Sequence, residues 1–79
     1  MNTKIYVKIN SIDRVKTFVK DTETFSSEID AVYGRYTIDA KSIMGLFSID
    51  VTKELEVVIH SDDQDEILRF NEVMSKYVD

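Results

Sequence analysis

Apolar positions along this chain follow two periods, and the switches between them mark the elements. From Lys4 to Ile9 the run Lys-Ile-Tyr-Val-Lys-Ile places Ile5, Val7 and Ile9 at alternate positions, which predicts a strand with one buried face. Asn10 and Ser11 follow, and either can cap a helix. Between Ile12 and about Glu23 the apolar residues are Ile12, Val15, Phe18 and Val19, spaced so that they share one helical face. Alternation returns over Ser27 to Tyr33 and Arg35 to Ala40, which read as two strands joined by a turn at Gly34. Ile29 with Ala31, and Tyr36 with Ile38, would each share a strand face. Ser42 stands where an N-cap belongs, ahead of a short helix over Ile43 to Phe47. Glu54 to His60 is a further strand, with Glu54 and Glu56 on its exposed side. Ser61-Asp62-Asp63-Gln64 has the form of a capping box opening a last helix, whose apolar stripe is Ile67, Phe70, Met74 and Tyr77. The expected order is β-α-β-β-α-β-α. It predicts an α+β open sandwich, with helices on one face of a mostly antiparallel four-stranded sheet.

Composition narrows the class without naming a function. The chain has 79 residues, which predicts a single domain over 1–79 with a thin but sufficient core. Hydrophobic residues make up 43% and charged residues 32%, a globular rather than a disordered balance. There is no cysteine, so neither a disulfide framework nor a thiolate metal site is expected, and a reducing, cytoplasmic location fits. The amino-terminal residues lack the basic and apolar regions of a signal peptide, and no apolar run approaches the roughly 20 residues that span a bilayer. A net charge of −5 would repel a phosphate backbone, so nucleic acid is not an expected partner and a basic protein surface is.

Candidate chemistry is sparse. Proline is absent and there are two glycines, so no Gly-rich phosphate cradle is present, nor a nucleophile elbow or a metal-ligand pair, and no cofactor is expected. Asp62, Asp63, Asp65 and Glu66 cluster without the glycine and distal glutamate of a calcium loop, which predicts a solvated helix start. His60, the single histidine, falls at a strand end and reads as a surface residue. The stretch Lys41-Ser-Ile-Met-Gly-Leu-Phe-Ser-Ile-Asp-Val51 is the unusual one, with a serine ahead of four bulky apolar residues around one glycine.

That stretch carries a resemblance. "KSIMG" at Lys41 to Gly45 is similar to the regulatory-serine signature of HPr, the phosphocarrier of the bacterial sugar phosphotransferase system. "FVK" at Phe18 to Lys20 resembles the end of that family's first helix, and "FSSEI" at Phe25 to Ile29 the start of its second strand. The spacing from "FVK" to "KSIMG" matches without a gap. The likeness is close over about Phe18 to Asp50 and looser beyond, and it implies the family's open-faced β-sandwich.

The resemblance also implies a loss. In the family a histidine at the start of the first helix accepts the phosphoryl group, with an arginine shortly after it. Counting back from "FVK" puts Ser11 in the histidine's place and Asp13 in the arginine's, with Arg14 out of register. The loop before the helix is also about four residues shorter. A serine hydroxyl without a neighbouring base does not replace an imidazole nucleophile. In lacking the histidine and keeping the serine, the chain is similar to the catabolite-repression paralogue within that family.

The resemblance therefore implies a non-catalytic regulatory or adaptor protein. It would be monomeric and act by contact with a serine kinase, a transcriptional regulator or phosphotransferase components. Ser42 matches the family's phosphorylated serine, and Ile43, Met44 and Phe47 its apolar docking patch. A phosphate on Ser42 would add roughly −1.5 to −2 of charge at a helix amino end. Two readings of Ser42 stand side by side, an N-cap and a phosphorylated switch. Met44 and Phe47 are either docking surface or core, whereas Leu46 and Ile49 read as core. An interaction module unconnected with sugar uptake, and a carrier using a different acceptor residue, remain the alternatives.

Overall fold

A computed structural model describes residues 3–78. The elements are strand β1 (Lys4–Val7), helix α1 (Ile12–Glu23), strands β2 (Ile29–Tyr33) and β3 (Tyr36–Asp39), helix α2 (Ile43–Phe47), strand β4 (Leu55–Ile59) and helix α3 (Gln64–Met74). One turn of 3-10 helix, Ser75–Tyr77, ends the order. This is the β-α-β-β-α-β-α succession that the periodicity predicts. The sheet runs β1-β4-β2-β3 and each of its three pairings is antiparallel.

Alternation decides which face is covered. Leu55, Val57 and Ile59 of β4, with Ile29 and Ala31 of β2, point to the helical side and are buried. Val15, Phe18 and Val19 of α1 and Ile67, Phe70 and Met74 of α3 close over them. Two edge-to-face aromatic pairs lock the layers, Phe18 with Tyr77 at 5.2 Å between ring centroids and Phe25 with Phe70 at 6.1 Å. The other face of the sheet is open and carries Lys4, Tyr6, Glu56, Asp30 and His60, joined by Tyr6–Glu56 and His60–Asp30 contacts across strands.

Four local readings need correction or extension. Ile12 is 57% exposed, since it lies in the first turn of α1, ahead of the part of the helix that covers the sheet. Strand β1 ends at Val7, yet Ile9 is fully buried. Beyond the ladder the Lys8 N–H bonds the Tyr77 carbonyl, and Asn10, at φ 73°, turns its own N–H to Val51. The β2–β3 turn uses Gly34 at φ 60° followed by Arg35, an arrangement suited to a two-residue hairpin with glycine first.

The fourth concerns the start of α3. Asp63, not Ser61, is its N-cap, and Asp63 Oδ1 accepts the N–H groups of Asp65 and Glu66. Ser61 instead accepts the Asp63 N–H, one step earlier. Glu66 lies at the third helical position but does not turn back to the cap. It accepts from the hydroxyls of Ser26 and Ser27 and from the Ser27 N–H, binding the α1–β2 loop to the first turn of α3. The acidic cluster is thus only partly a solvated helix start.

The Ser27 hydroxyl first, then that of Ser61, hold the Glu66 carboxyl down to about 2 from the usual value near 4.5. A carboxylate whose folded pKa is depressed stabilises the fold above its unfolded pKa, and that contribution disappears as the pH falls through the folded value. Glu66→Gln is therefore expected to melt below wild type at pH 7, with the gap closing between about 4.5 and about 2. Thermal melts of both proteins across that range check it; a gap independent of pH would contradict the assignment.

Candidate functional site

The amino end of α1 is where the sequence resemblance places the phosphoacceptor. Ser11 adopts extended backbone at φ −149°, and its Oγ accepts the Arg14 N–H at 3.2 Å. The hydroxyl is exposed and fills the N-cap role, and no imidazole stands near it. His60 follows the end of β4 that pairs with Lys4, whereas α1 begins beyond the end of β1 that pairs with Leu55. The two residues thus lie toward opposite ends of the sheet. His60 Nε2 is 2.7 Å from Asp30 Oδ2 on the open face, a surface position as the sequence indicates.

Arg14 is engaged elsewhere. Its Nη2 donates to the Lys76 carbonyl at 2.7 Å, and its guanidinium carbon lies 5.1 Å from the centre of the Tyr77 ring. Tyr77 is buried, and its hydroxyl donates to Asp21 Oδ2 at 2.6 Å, an atom shared with Lys76 Nζ at 2.7 Å. Burial, reinforced by the bond to Asp21, pushes the Tyr77 phenol well above its ordinary range, so it stays protonated. The cation next to Ser11 therefore clasps the carboxy-terminal segment onto α1. Helical periodicity marks Tyr77 as core but gives no sign of this Arg14–Tyr77–Asp21–Lys76 network, since its members are far apart in sequence.

The second part of the site is α2. Asp39 prepares the turn into it, its carboxylate accepting the Lys41 N–H and its carbonyl the Ser42 N–H, both at 2.9 Å. Lys41 Nζ reaches back to the Phe25 carbonyl at 2.8 Å. Ser42 is half-buried and is the N-cap, its Oγ accepting the Gly45 N–H at 3.1 Å. Gly45 is required by close approach, because a Cβ there would stand 2.5 Å from Ile38 Cγ2 and 3.3 Å from Ser42 Oγ.

With the backbone held so near β3, the helix sorts its apolar side chains sharply. Leu46 is fully buried, and Ile43 and Ile49 are partly buried against the core. Met44 is 75% exposed and Phe47 40%, so neither belongs to the core. They are three residues apart and thus neighbours on one side of the helix. What this region offers chemically is a capped hydroxyl beside an apolar ridge. Among the described residues no group of three or more His, Asp or Glu side chains is placed to hold a metal ion. No described helix is long and apolar enough to cross a membrane.

The fold and this helix arrangement are those of a phosphocarrier domain. Residues 14–75 match the family described as the PTS HPr component phosphorylation site, and the chain belongs to that family. The matched residues begin three positions after Ser11. Solved structures of similar fold include HPr-C-His from Thermoanaerobacter tengcongensis, at 23% identity over 96% of this chain and 93% of that one, with a TM-score of 0.73. The phosphocarrier protein HPr from Bacillus anthracis str. Ames is 24% identical over 96% and 95% of the two chains, with a TM-score of 0.70. A mycoplasma histidine-containing phosphocarrier protein is 21% identical over 92% of each chain, with a TM-score of 0.68. HPr proteins are phosphocarriers of the phosphotransferase system rather than enzymes.

Gly45→Ala is expected to destabilise the protein by about 1–3 kcal/mol, because the added methyl would stand 2.5 Å from Ile38 Cγ2 and force that β-branched side chain or the helix to shift. Ser42→Ala, which removes only a cap, should cost about 1 kcal/mol. Urea unfolding of both variants measures the difference; an unchanged midpoint for Gly45→Ala would refute the close approach.

Proposed function

We propose that this HPr-family protein acts by protein–protein contact through the Ser42–Phe47 surface, without relaying a phosphoryl group. The observation that carries the reading is the state of Ser11. In the position that the resemblance assigns to the acceptor imidazole, it is a helix-capping hydroxyl without a base, and the adjacent Arg14 is committed to the carboxy-terminal segment. Phosphoryl acceptance from a phosphohistidine or from phosphoenolpyruvate requires a nucleophile activated at neutral pH. An unassisted serine does not meet that need.

The α2 surface supports the positive half of the proposal. Met44 and Phe47 place flexible and aromatic apolar area in water, where it favours a partner's apolar pocket. Ser42 precedes them directly. A phosphate there would meet the free N–H groups of the first turn and would change the charge that a partner meets beside the ridge. Ser42 is in this reading both the cap and the switch. The partners are a serine kinase, and a transcriptional regulator or phosphotransferase component that distinguishes the two charge states.

Intact-mass measurement after incubation with ATP and an HPr serine kinase tests the switch. One phosphate, about 80 Da, is expected on the wild type and none on Ser42→Ala. Incubation with phosphoenolpyruvate and the first enzyme of the relay should leave no acid-labile phosphate. A mass gain that survives Ser42→Ala would overturn the switch, and an acid-labile phosphate would overturn the loss of relay.

A further inference from the structure

A different surface, apart from Ser42 and the α1 amino end, carries two matched features. The first is the outer edge of β3. This strand ends the sheet, so one side of its backbone has no neighbouring strand among the described residues. The two-residue turn sets Tyr33 opposite Tyr36 as a hydrogen-bonded pair, and the alternation of an antiparallel ladder then turns Tyr36 and Ile38 toward β2. Ala40, next in that parity, donates its N–H to Ile29 at 2.8 Å. Thr37 and Asp39 accordingly turn their backbone groups outward. The Asp39 carbonyl is taken by the Ser42 N–H, while the Thr37 N–H and C=O and the Asp39 N–H have no partner among the described residues.

The second feature is a cavity beside that edge. Tyr33, Tyr36, Ile38, Ser48 and Ile49 enclose about 290 Å³ on the helical side of β3, under the end of α2. Its size suits one large apolar side chain rather than a whole ligand. An unpaired strand edge with a side-chain cavity on one face is the arrangement by which sheets accept an added strand: backbone bonds hold it, and alternate side chains select it.

Charge on the other face specifies the occupant further. Asp30 and Asp39 are register partners, so two carboxylates face each other across β2 and β3 on the open side of the sheet. Asp30 is met by His60, whereas Asp39 has no cation among the described residues. An added strand would present every second side chain on the face that carries Asp39, one of them beside its carboxylate. A second copy pairing through its own β3 is a poor occupant: the chain's net charge is −5 and the open-face residues of β3, Thr37 and Asp39, supply no cation.

We propose that the edge of β3 accepts an extended segment of a partner protein as a fifth strand, with an apolar side chain in the Tyr33–Ile49 cavity and lysine or arginine beside Asp39. The segment alternates basic and apolar residues. It does not require a phosphate on Ser42, so a failed kinase assay leaves this site standing.

The test is titration of the ¹⁵N-labelled full chain with a capped heptapeptide, K-V-K-F-K-V-K, and with its counterpart carrying glutamate for each lysine. The basic peptide is expected to shift the Tyr36 to Asp39 amides and to slow exchange of the Thr37 and Asp39 N–H groups. The acidic one should bind at least about tenfold more weakly. Thr37→Pro, which removes an outward N–H, should abolish binding, and Asp39→Lys should reverse the preference between peptides even if the proline variant fails to fold. No response to millimolar peptide, shifts confined to Met44 and Phe47, or equal affinity for the two peptides would each overturn the proposal. Concentration-dependent protection of Thr37 and Asp39 in the free protein would also overturn it, since a second copy would then occupy the edge.

Discussion

Covering one face of a four-stranded sheet with very little chain is the constraint from which the rest of this structure follows. The central strands β4 and β2 present Leu55, Val57, Ile59, Ile29 and Ala31, all buried, and only α1 and α3 are long enough to close over them. In a domain this small the surface-to-volume ratio leaves little redundancy, so large aromatic side chains must serve several elements at once. Phe18 and Tyr77 join α1 to the carboxy-terminal turn, and Phe25 and Phe70 join the α1–β2 loop to α3. Helix α2, at five residues, contributes Leu46 to this core and leaves the outer part of its apolar content in solvent. The exposure of Met44 and Phe47 follows from the layer being full without them.

Polar groups carry out the joining that the thin core cannot. Glu66 gathers the Ser26 and Ser27 hydroxyls, and Asp21 gathers Tyr77 and Lys76. Arg69 lies 3.8 Å over the Phe25 ring while donating to the Thr24 carbonyl and hydroxyl. Each contact pins a loop or a terminus to a helix. Each also removes a charged group from chemistry. Arg14, in the first turn of α1, belongs to the same class, because its guanidinium is spent on Lys76 and Tyr77.

What the sequence discloses and what it conceals divide along the same line. Element order, the bounds of α1, the buried alternation in β2 and β4 and the stripe Ile67, Phe70, Met74 and Tyr77 are legible because each depends on residues close together in the chain. The caps at Ser11 and Ser42 are legible for the same reason. The start of α3 is misread because both Ser61 and Asp63 can cap, and the choice rests on Glu66 being held by a loop about 40 residues away. Thr22 illustrates the limit: a polar residue in an apolar stripe, it is fully buried, with its hydroxyl placed to bond the Val19 and Ala40 carbonyls. The cavity beside β3 is concealed too, since its walls come from a hairpin and from the segment after α2.

The Ser42 surface and the β3 edge meet at one contact. Gly45 gives its N–H to Ser42 and lies so close to Ile38 that no side chain fits between them, and Ile38 is a wall of the cavity. The glycine thus has two roles that the family signature alone does not separate. It lets the short helix start at Ser42, and it lowers that helix onto the edge strand, which lifts Met44 and Phe47 outward while leaving room under Ser48 and Ile49. A bulkier residue would spoil the cap and displace Ile38 together. Both proposed surfaces therefore depend on the absence of the same Cβ, and neither depends on Ser11. In this reading a phosphocarrier scaffold keeps its means of contact when the imidazole is absent, because the contact surfaces rest on backbone approach and the relay on one side chain.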